Sequence, residues 1–348
     1  MATMRQVARL ADVSMATVSH VINGTRYVSP ELTERVRLAM ETLSYQPDAV
    51  ARSLRRRETL TLGLLLPSIE IPFFASVAYS IERAAARQGY NVILCNSDWQ
   101  PALELQHLND LLARRVDGLV CISAQMTAAQ IDFVVSDGTP VVMFERQMPG
   151  IGLDAVEIDN EGGAYEATKH LLDLGHRRLG FIQGRIASTV SDDRLRGSQR
   201  ALEEAGLVLD PALLYRGDYL PGTGREATTY FLTLDEPPSA IFAFNDMMAF
   251  GVLQVLTERG VHVPEQIAVV GFDGIPLTAY TSPALTTVRQ PLEEMGRNAV
   301  ELLLGRIRDE GPEQPQYIRL QPHLIIRDST VGAFSRRVVP VQERITHV

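Results

Sequence analysis

Three short helices, each opened by its own capping residue, crowd the first part of the chain and leave room there for little except a compact helical head. Thr3 caps the first, with Gln6 three residues on to complete a capping box, and Val7, Ala8 and Leu10 supply an apolar face. Ala11-Asp12 breaks this helix, since Asp tolerates the left-handed backbone of a tight turn better than most residues. Ser14 caps a second helix, Met15 to Ile22, which turns Val18 and Val21 inward. Ser29 caps a third, with Pro30 in its first turn and Leu32, Val36, Ala39, Met40 and Leu43 at helical spacing. The first two, so closely spaced, make a helix-turn-helix.

The second helix keeps Met15, Ala16, Ser19 and His20 off its buried side, so these are the candidates to meet base edges in a major groove. His20 is the strongest, because its ring donates to guanine O6 or N7, whereas Met15 and Ala16 offer apolar contact, as to a thymine methyl. Ser14 and Thr17, with nearby backbone amides, suit phosphates, and Thr3 and Asn23 complete the expected DNA contacts. A protein-docking bundle would show the same periodicity, but not the same charge. Residues 1–60 hold nine Arg and no Lys against six acids, net +3, while the remainder carries −12. A basic head on an acidic body concentrates phosphate attraction at one end.

From Leu60 onward, short apolar runs alternate with amphipathic segments. Strands are expected at Thr61 to Leu66, Asn91 to Asn96, Asp117 to Ile122, Val141 to Phe144, Leu179 to Ile182, Leu213 to Arg216, Ala240 to Phe244 and Ala268 to Phe272. Helices are expected at Phe73 to Gln88, Pro101 to Ala113, Ala164 to Asp173, Leu195 to Ala205 and Met247 to Arg259. This alternation implies parallel sheets with right-handed crossovers, and the length exceeds one comfortable core, so two lobes are expected.

Five motifs carry a resemblance to a known family: V-S-x-x-T-V-S-H-V-I-N at Val13 to Asn23, P-D-A-V-A-R-S-L at Pro47 to Leu54, V-D-G-L at Val116 to Leu119, G-H-R-R-L-G at Gly175 to Gly180, and S-P-A-L-T-T-V at Ser282 to Val288. The chain resembles the lac repressor family of bacterial transcription regulators from Thr3 to about Thr330, and its head is most similar to the family's purine repressors. Asp12 stands where members often have Gly, and Met15 and Ala16 differ from the polar pair of the purine repressors. The resemblance implies a helix-turn-helix domain at 1–46, a hinge helix at 47–57 and an effector-binding, dimerising α/β body at 58–330. That body is expected to be periplasmic-binding-protein-like, with lobes at about 60–158 plus 290–320 and about 159–289 plus 321–330. The tail, 331–348, shows no leucine heptad to make a tetramer.

The hinge segment from Asp48 to Arg55 is shorter than the roughly 12–15 residues an isolated helix needs in water. By resemblance, two such helices pair in a minor groove, with Ala51, Leu54 and Arg55 in contact and Leu54 wedged between base steps. A homodimer reading a near-palindromic operator follows from the same resemblance.

Effector chemistry belongs in the cleft between the lobes, at the carboxyl ends of strands. Glu145 follows Phe144, Arg194 is expected to open a helix after the Gly184 loop, Asn245 follows Phe244 and Asp273 follows Phe272. By resemblance, Arg194, Asn245 and Asp273 match positions that hold ligand hydroxyls, and Ser68, Ser123 and Glu145 lie near them. Arg offers a fork of donors, the acids accept from hydroxyls, and Phe73, Phe74 or Tyr219 covers an apolar sugar face. Arg146 stands where purine repressors carry a stacking Trp, which disfavours a purine; a neutral sugar or polyol is expected, with a sugar acid or nucleobase as the alternative.

Catalytic signatures are missing: no phosphate loop, no G-x-S-x-G elbow, no H-E-x-x-H, and seven His without metal spacing. G-T-G-R-E-A at Gly222 to Ala227 is read as loop-to-helix chemistry, and Cys95 and Cys121 as buried free thiols. No enzyme activity, cofactor or metal is expected. The first segment lacks the apolar core of a signal peptide and no run approaches a membrane span, so a cytoplasmic location is expected. An exported sugar-binding protein of a transporter would explain the body and leave the head unexplained.

Overall fold

A computed structural model describes residues 2–45, 58–122, 134, 136, 138–145, 152–185 and 189–332. They fall into two compact units, Met1–Leu60 and Thr61–Val348.

The head holds α1 (Met4–Leu10), α2 (Met15–Asn23) and α3 (Pro30–Thr42). Thr3 and Gln6 form the reciprocal capping box, and the side chains of Ser14 and Ser29 accept from the third backbone N–H of α2 and α3. Asp12 adopts φ 50°, the left-handed turn between α1 and α2, and Arg35 of α3 braces it by donating to the carbonyls of Ala11 and Asp12. Val7, Ala8, Ala11, Val18, Val36 and Ala39 form the core. Leu10, expected on the apolar face, is 52% exposed, and Ala11 takes its place where the chain tightens out of α1.

The body is two six-stranded sheets of the same strand order. The first contains β1 (Thr61–Leu66), β2 (Asn91–Asn96), β3 (Gly118–Cys121), β4 (Val141–Phe144), β5 (Asp154–Ile158) and β11 (Tyr317–Leu320), ordered β2-β1-β3-β4-β5-β11. The second contains β6 (Leu179–Gln183), β7 (Leu214–Arg216), β8 (Ala240–Ala243), β9 (Ala268–Asp273), β10 (Thr286–Arg289) and β12 (His323–Ile325), ordered β7-β6-β8-β9-β10-β12. Pairing is parallel everywhere except between β10 and β12. In each sheet the order reverses beside the first strand, which opens a crevice at the carboxyl edge.

The helices are α4 (Pro72–Arg87), α5 (Pro101–Ala113), α6 (Asn160–Asp173), α7 (Thr189–Glu204), α8 (Pro221–Phe231), α9 (Asp246–Glu258) and α10 (Leu292–Ile307). Two of them start upstream of their apolar repeat. Asp159 caps α6 by accepting from Gly162 N–H, and α7 begins at Thr189, so Arg194 sits inside the helix rather than opening it. The chain crosses between sheets three times, at Asp159, at Gln290-Pro291 and at Gln321-Pro322.

The G-T-G-R-E-A motif serves packing. Gly224 of α8 lies against the backbone of Met248 on α9, and Gly251 of α9 against that of Pro221, so a Cβ at either glycine would strike a carbonyl oxygen.

The thiols are free. Cys121 is buried, which pushes it up to about 12, and Cys95 is half-buried on the edge strand β2. Among the described residues, no helix is long and apolar enough to cross a membrane, and no group of three or more His, Cys, Asp or Glu is arranged to hold a metal ion.

Candidate effector cleft and DNA-reading helix

The two carboxyl edges enclose a cleft of about 60 Å³, measured as the space open to the centre of a water-sized sphere. The first lobe supplies Pro67, Ile71, Phe73, Phe74, Trp99, Ile122, Phe144 and Glu145; the second supplies Thr189, Val190, Arg194, Tyr219, Asn245 and Asp273. Glu145, Arg194, Asn245 and Asp273 therefore meet as the order of strands and helices suggested. Ser68 does not: it is buried beyond the end of β1 and leaves the wall to Pro67. Ser123 and Arg146 lie outside the described residues, as do Ala51, Leu54 and Arg55 of the hinge segment.

Arg194 is the hub. Its Nε donates to Asn160 Oδ1 at 2.9 Å, its Nη1 donates to the Phe244 carbonyl and lies 3.7 Å from Asp273, and its plane covers the Phe272 ring. It thus ties the start of α6 to the ends of β8 and β9, and is 2% exposed, so it belongs to the scaffold as much as to the cleft. The solvated pairing with Asp192 or Asp193 that its neighbours suggest is not made. Asp193 pairs with Arg196 instead, and Asp192 accepts from Gln183.

Asn245 is similarly committed. Its Oδ1 caps α9 by accepting from Met248 N–H, and its Nδ2 donates to the Tyr219 carbonyl at 3.0 Å. It joins the Tyr219 loop to β8 through one of its two amide hydrogens. Asp273 accepts from Gln290 Nε2 at 3.0 Å, which couples a cleft carboxylate to the second crossing between sheets.

Glu145 and Asp273 both feel this one guanidinium, Asp246 lies beside Asp273, and burial governs all three. Glu145 is raised to about 8, by burial first, with Arg194 opposing and Asp273 adding. Asp273 is raised to about 7 by burial, against Arg194 and Gln290. Asp246, wholly buried behind Asn245, is raised by burial and by Asp273, although Thr287 and the Ile275 amide donate to it. The cleft floor is therefore close to neutral at physiological pH and can both donate to and accept from hydroxyls.

Aromatic rings meet one another across the cleft. Trp99, whose signal in the sequence was only its uniqueness, meets Phe74 edge-on at 5.8 Å and lies nearly parallel to Tyr219 at 6.5 Å. Arg185 also stands over this ring, 4.8 Å from its centroid. Tyr219 in turn lies on Gly184, where any Cβ would enter its ring. Trp99, Glu145, Tyr219 and Asp273 all have positive φ (58°, 71°, 73° and 118°), so backbone strain is held at four side chains that line one cavity.

In the head, Met15 is 47% exposed, and Ala16 and His20 share its side of α2. Ser14 and Thr17 bond each other at 2.9 Å, and Asn23 Nδ2 donates back to Ser19 O at 2.8 Å, so these polar groups partly serve α2 itself. Thr3 is held by its capping box.

Residues 3–48 match the family described as bacterial regulatory proteins, lacI family, and residues 168–330 the periplasmic binding protein-like domain. The HTH-type transcriptional repressor PurR of Haemophilus influenzae (strain PittEE) is 39% identical over 331 residues, 94% of this chain and 98% of that protein. The chain belongs to the lacI family of bacterial regulators. As a lacI-family member it is a DNA-binding transcriptional repressor and not an enzyme. Its fold matches a transcriptional regulator CelR–cellobiose complex with TM-score 0.72 at 33% identity, over 94% of this chain and 100% of that one. It also matches the lac repressor dimer bound to operator and the anti-inducer ONPF with TM-score 0.84 at 26% identity, over 94% and 99%.

Proposed function

We propose that this repressor binds a two-fold symmetric operator as a homodimer and is released by a neutral sugar or polyol held in the cleft. The observation that carries the effector class is the pairing of aromatic faces, Phe74, Trp99 and Tyr219, with a near-neutral cluster of Arg194, Asp273, Glu145 and Asn245. A sugar ring has an apolar C–H face for the rings and hydroxyls for the polar cluster. The likeness to a regulator solved with cellobiose supports this reading. One guanidinium already engaged by protein acceptors is poor provision for a strongly anionic ligand, so a sugar acid ranks below a neutral sugar.

A second reading has its own support: the 39% identity to a PurR repressor favours a nucleobase. Flat aromatic walls also stack on heterocycles, and protonated carboxyls donate to ring nitrogens. Thermal-shift titration of the full-length chain with glucose, cellobiose, ribose, galacturonate, hypoxanthine and guanine separates the two. Stabilisation by a neutral sugar supports the first, and stabilisation by bases alone replaces it with the second.

In the head, His20, Met15, Ala16 and Ser19 read bases while Ser14, Thr17, Thr3 and Asn23 hold the backbone. The hinge segment, with Ala51, Leu54 and Arg55, enters the minor groove. Operator binding places the protein in the cytoplasm. Selection from random duplexes should yield a near-palindrome bound by two chains; an asymmetric site bound by one chain contradicts the dimer.

A further inference from the structure

His20 lies in the last turn of α2, and its Nδ1 is 2.8 Å from the hydroxyl oxygen of Thr25. Thr25 stands just past Gly24, whose left-handed backbone (φ 62°) ends the helix and whose N–H donates to the His20 carbonyl. That turn carries the chain back over the imidazole, so the contact follows from how the helix stops. The two ring nitrogens of histidine differ, and the bond made by one decides what the other presents. With Nδ1 taken by Thr25, Nε2 is the nitrogen left for another partner.

We propose that Thr25 is a positioning residue for base readout, holding Nδ1 of His20 so that Nε2–H is presented as a donor to a guanine acceptor. The inference rests on His20 being a base-contacting residue. Among the described residues, the Thr25 hydroxyl bonds only to His20, and either partner can donate in that contact. Where the hydroxyl donates to Nδ1, the ring proton sits on Nε2. The imidazolium form, with Nδ1–H donating to the Thr25 oxygen, presents Nε2–H as well. Only the reverse neutral tautomer turns an acceptor outward, and guanine O6 and N7 give such an acceptor nothing. Ser14, Thr17 and Asn23 are meanwhile bonded within α2, which leaves His20 the larger share of polar discrimination on this face.

The test uses the full-length chain and an operator selected from random duplexes with the wild type. Affinities at fixed salt are then measured for single-base changes and for 7-deazaguanine and 6-thioguanine at each guanine. His20→Ala is expected to abolish the preference for one symmetry-related guanine. Thr25→Val is expected to narrow that same preference by roughly 2- to 12-fold, the worth of one hydrogen bond, with random-duplex affinity and melting temperature unchanged. Thr25→Ser should restore it. One of the two analogues should cost the wild type as much as the base change, and cost Thr25→Val less. If His20→Ala loses the guanine while Thr25→Val keeps it in full, Thr25 does not position the ring; if neither analogue matters, no guanine acceptor is read. A preference untouched in His20→Ala removes the underlying reading of His20 instead.

Discussion

The Arg194 guanidinium lies over the Phe272 ring, 3.6 Å from its centroid, and the neighbouring residue Asp273 is 3.7 Å away on the cleft side. One side chain thus closes a core and lines the cleft. Removing it leaves Asn160 and the Phe244 carbonyl without their buried donor while Asp273 takes up a proton, so Arg194→Ala should cost about 2–6 kcal/mol in urea unfolding, at about 1–3 for each unmet group. Arg194→Lys keeps the charge but not the fork, and should lose effector binding with a smaller loss of stability. If the Lys variant binds effector as the wild type does, Arg194 is scaffold only.

The raised acids give the body a distinct pH response. Folded Glu145 holds its proton up to about 8, whereas the unfolded chain releases it near the ordinary 4.5. Between those values the folded state binds more protons, so stability falls as pH rises, by at most about 1.4 kcal/mol per unit for each such group. Asp273, raised to about 7, adds to the lower part of the window. Glu145→Gln should flatten the decline in melting temperature between pH 6 and 8, about the range in which both acids titrate. An unchanged slope would show that Glu145 is ionised throughout.

Trp99 is the chain's only tryptophan, so its emission reports the cleft directly. It belongs to the first lobe, and Tyr219 and Arg185 to the second. Tyr219→Ala should red-shift the emission and raise iodide quenching, since one face of the indole then meets water. Trp99→Phe should weaken the effector by roughly 2- to 12-fold, the range of an aromatic contact, in a calorimetric titration. Emission blind to the loss of Tyr219 would mean that the rings do not meet.

At the interface of α8 and α9, Gly224→Ala should destabilise the body by about 1–3 kcal/mol, because the new methyl meets the Met248 carbonyl, which cannot turn aside. Chemical denaturation measures it, and a neutral result would show that the helices part freely.

What the sequence disclosed follows from how local each signal is. Caps at Thr3, Ser14 and Ser29, and apolar runs such as Thr61–Leu66, need only neighbours to be recognised. Strand β5 escaped because its buried Asp154 and Glu157 look wrong for a core strand. Each is answered by an arginine more than 150 residues on, Arg306 and Arg319 respectively. Trp99 escaped for a related reason, as its partners Phe74, Arg185 and Tyr219 come from three separate loops and helices. Asn245 and Arg194 line the cleft, but their ties to Tyr219, Asn160 and Phe244 are tertiary and leave no trace in spacing.

The most direct trial of the account measures operator affinity of the full-length repressor, at fixed salt, with and without each of glucose, cellobiose, ribose, hypoxanthine and guanine. At least one neutral sugar should stabilise the protein and weaken operator binding while both bases leave it unchanged. Tightened binding with hypoxanthine or guanine, and no response to any sugar, would contradict it.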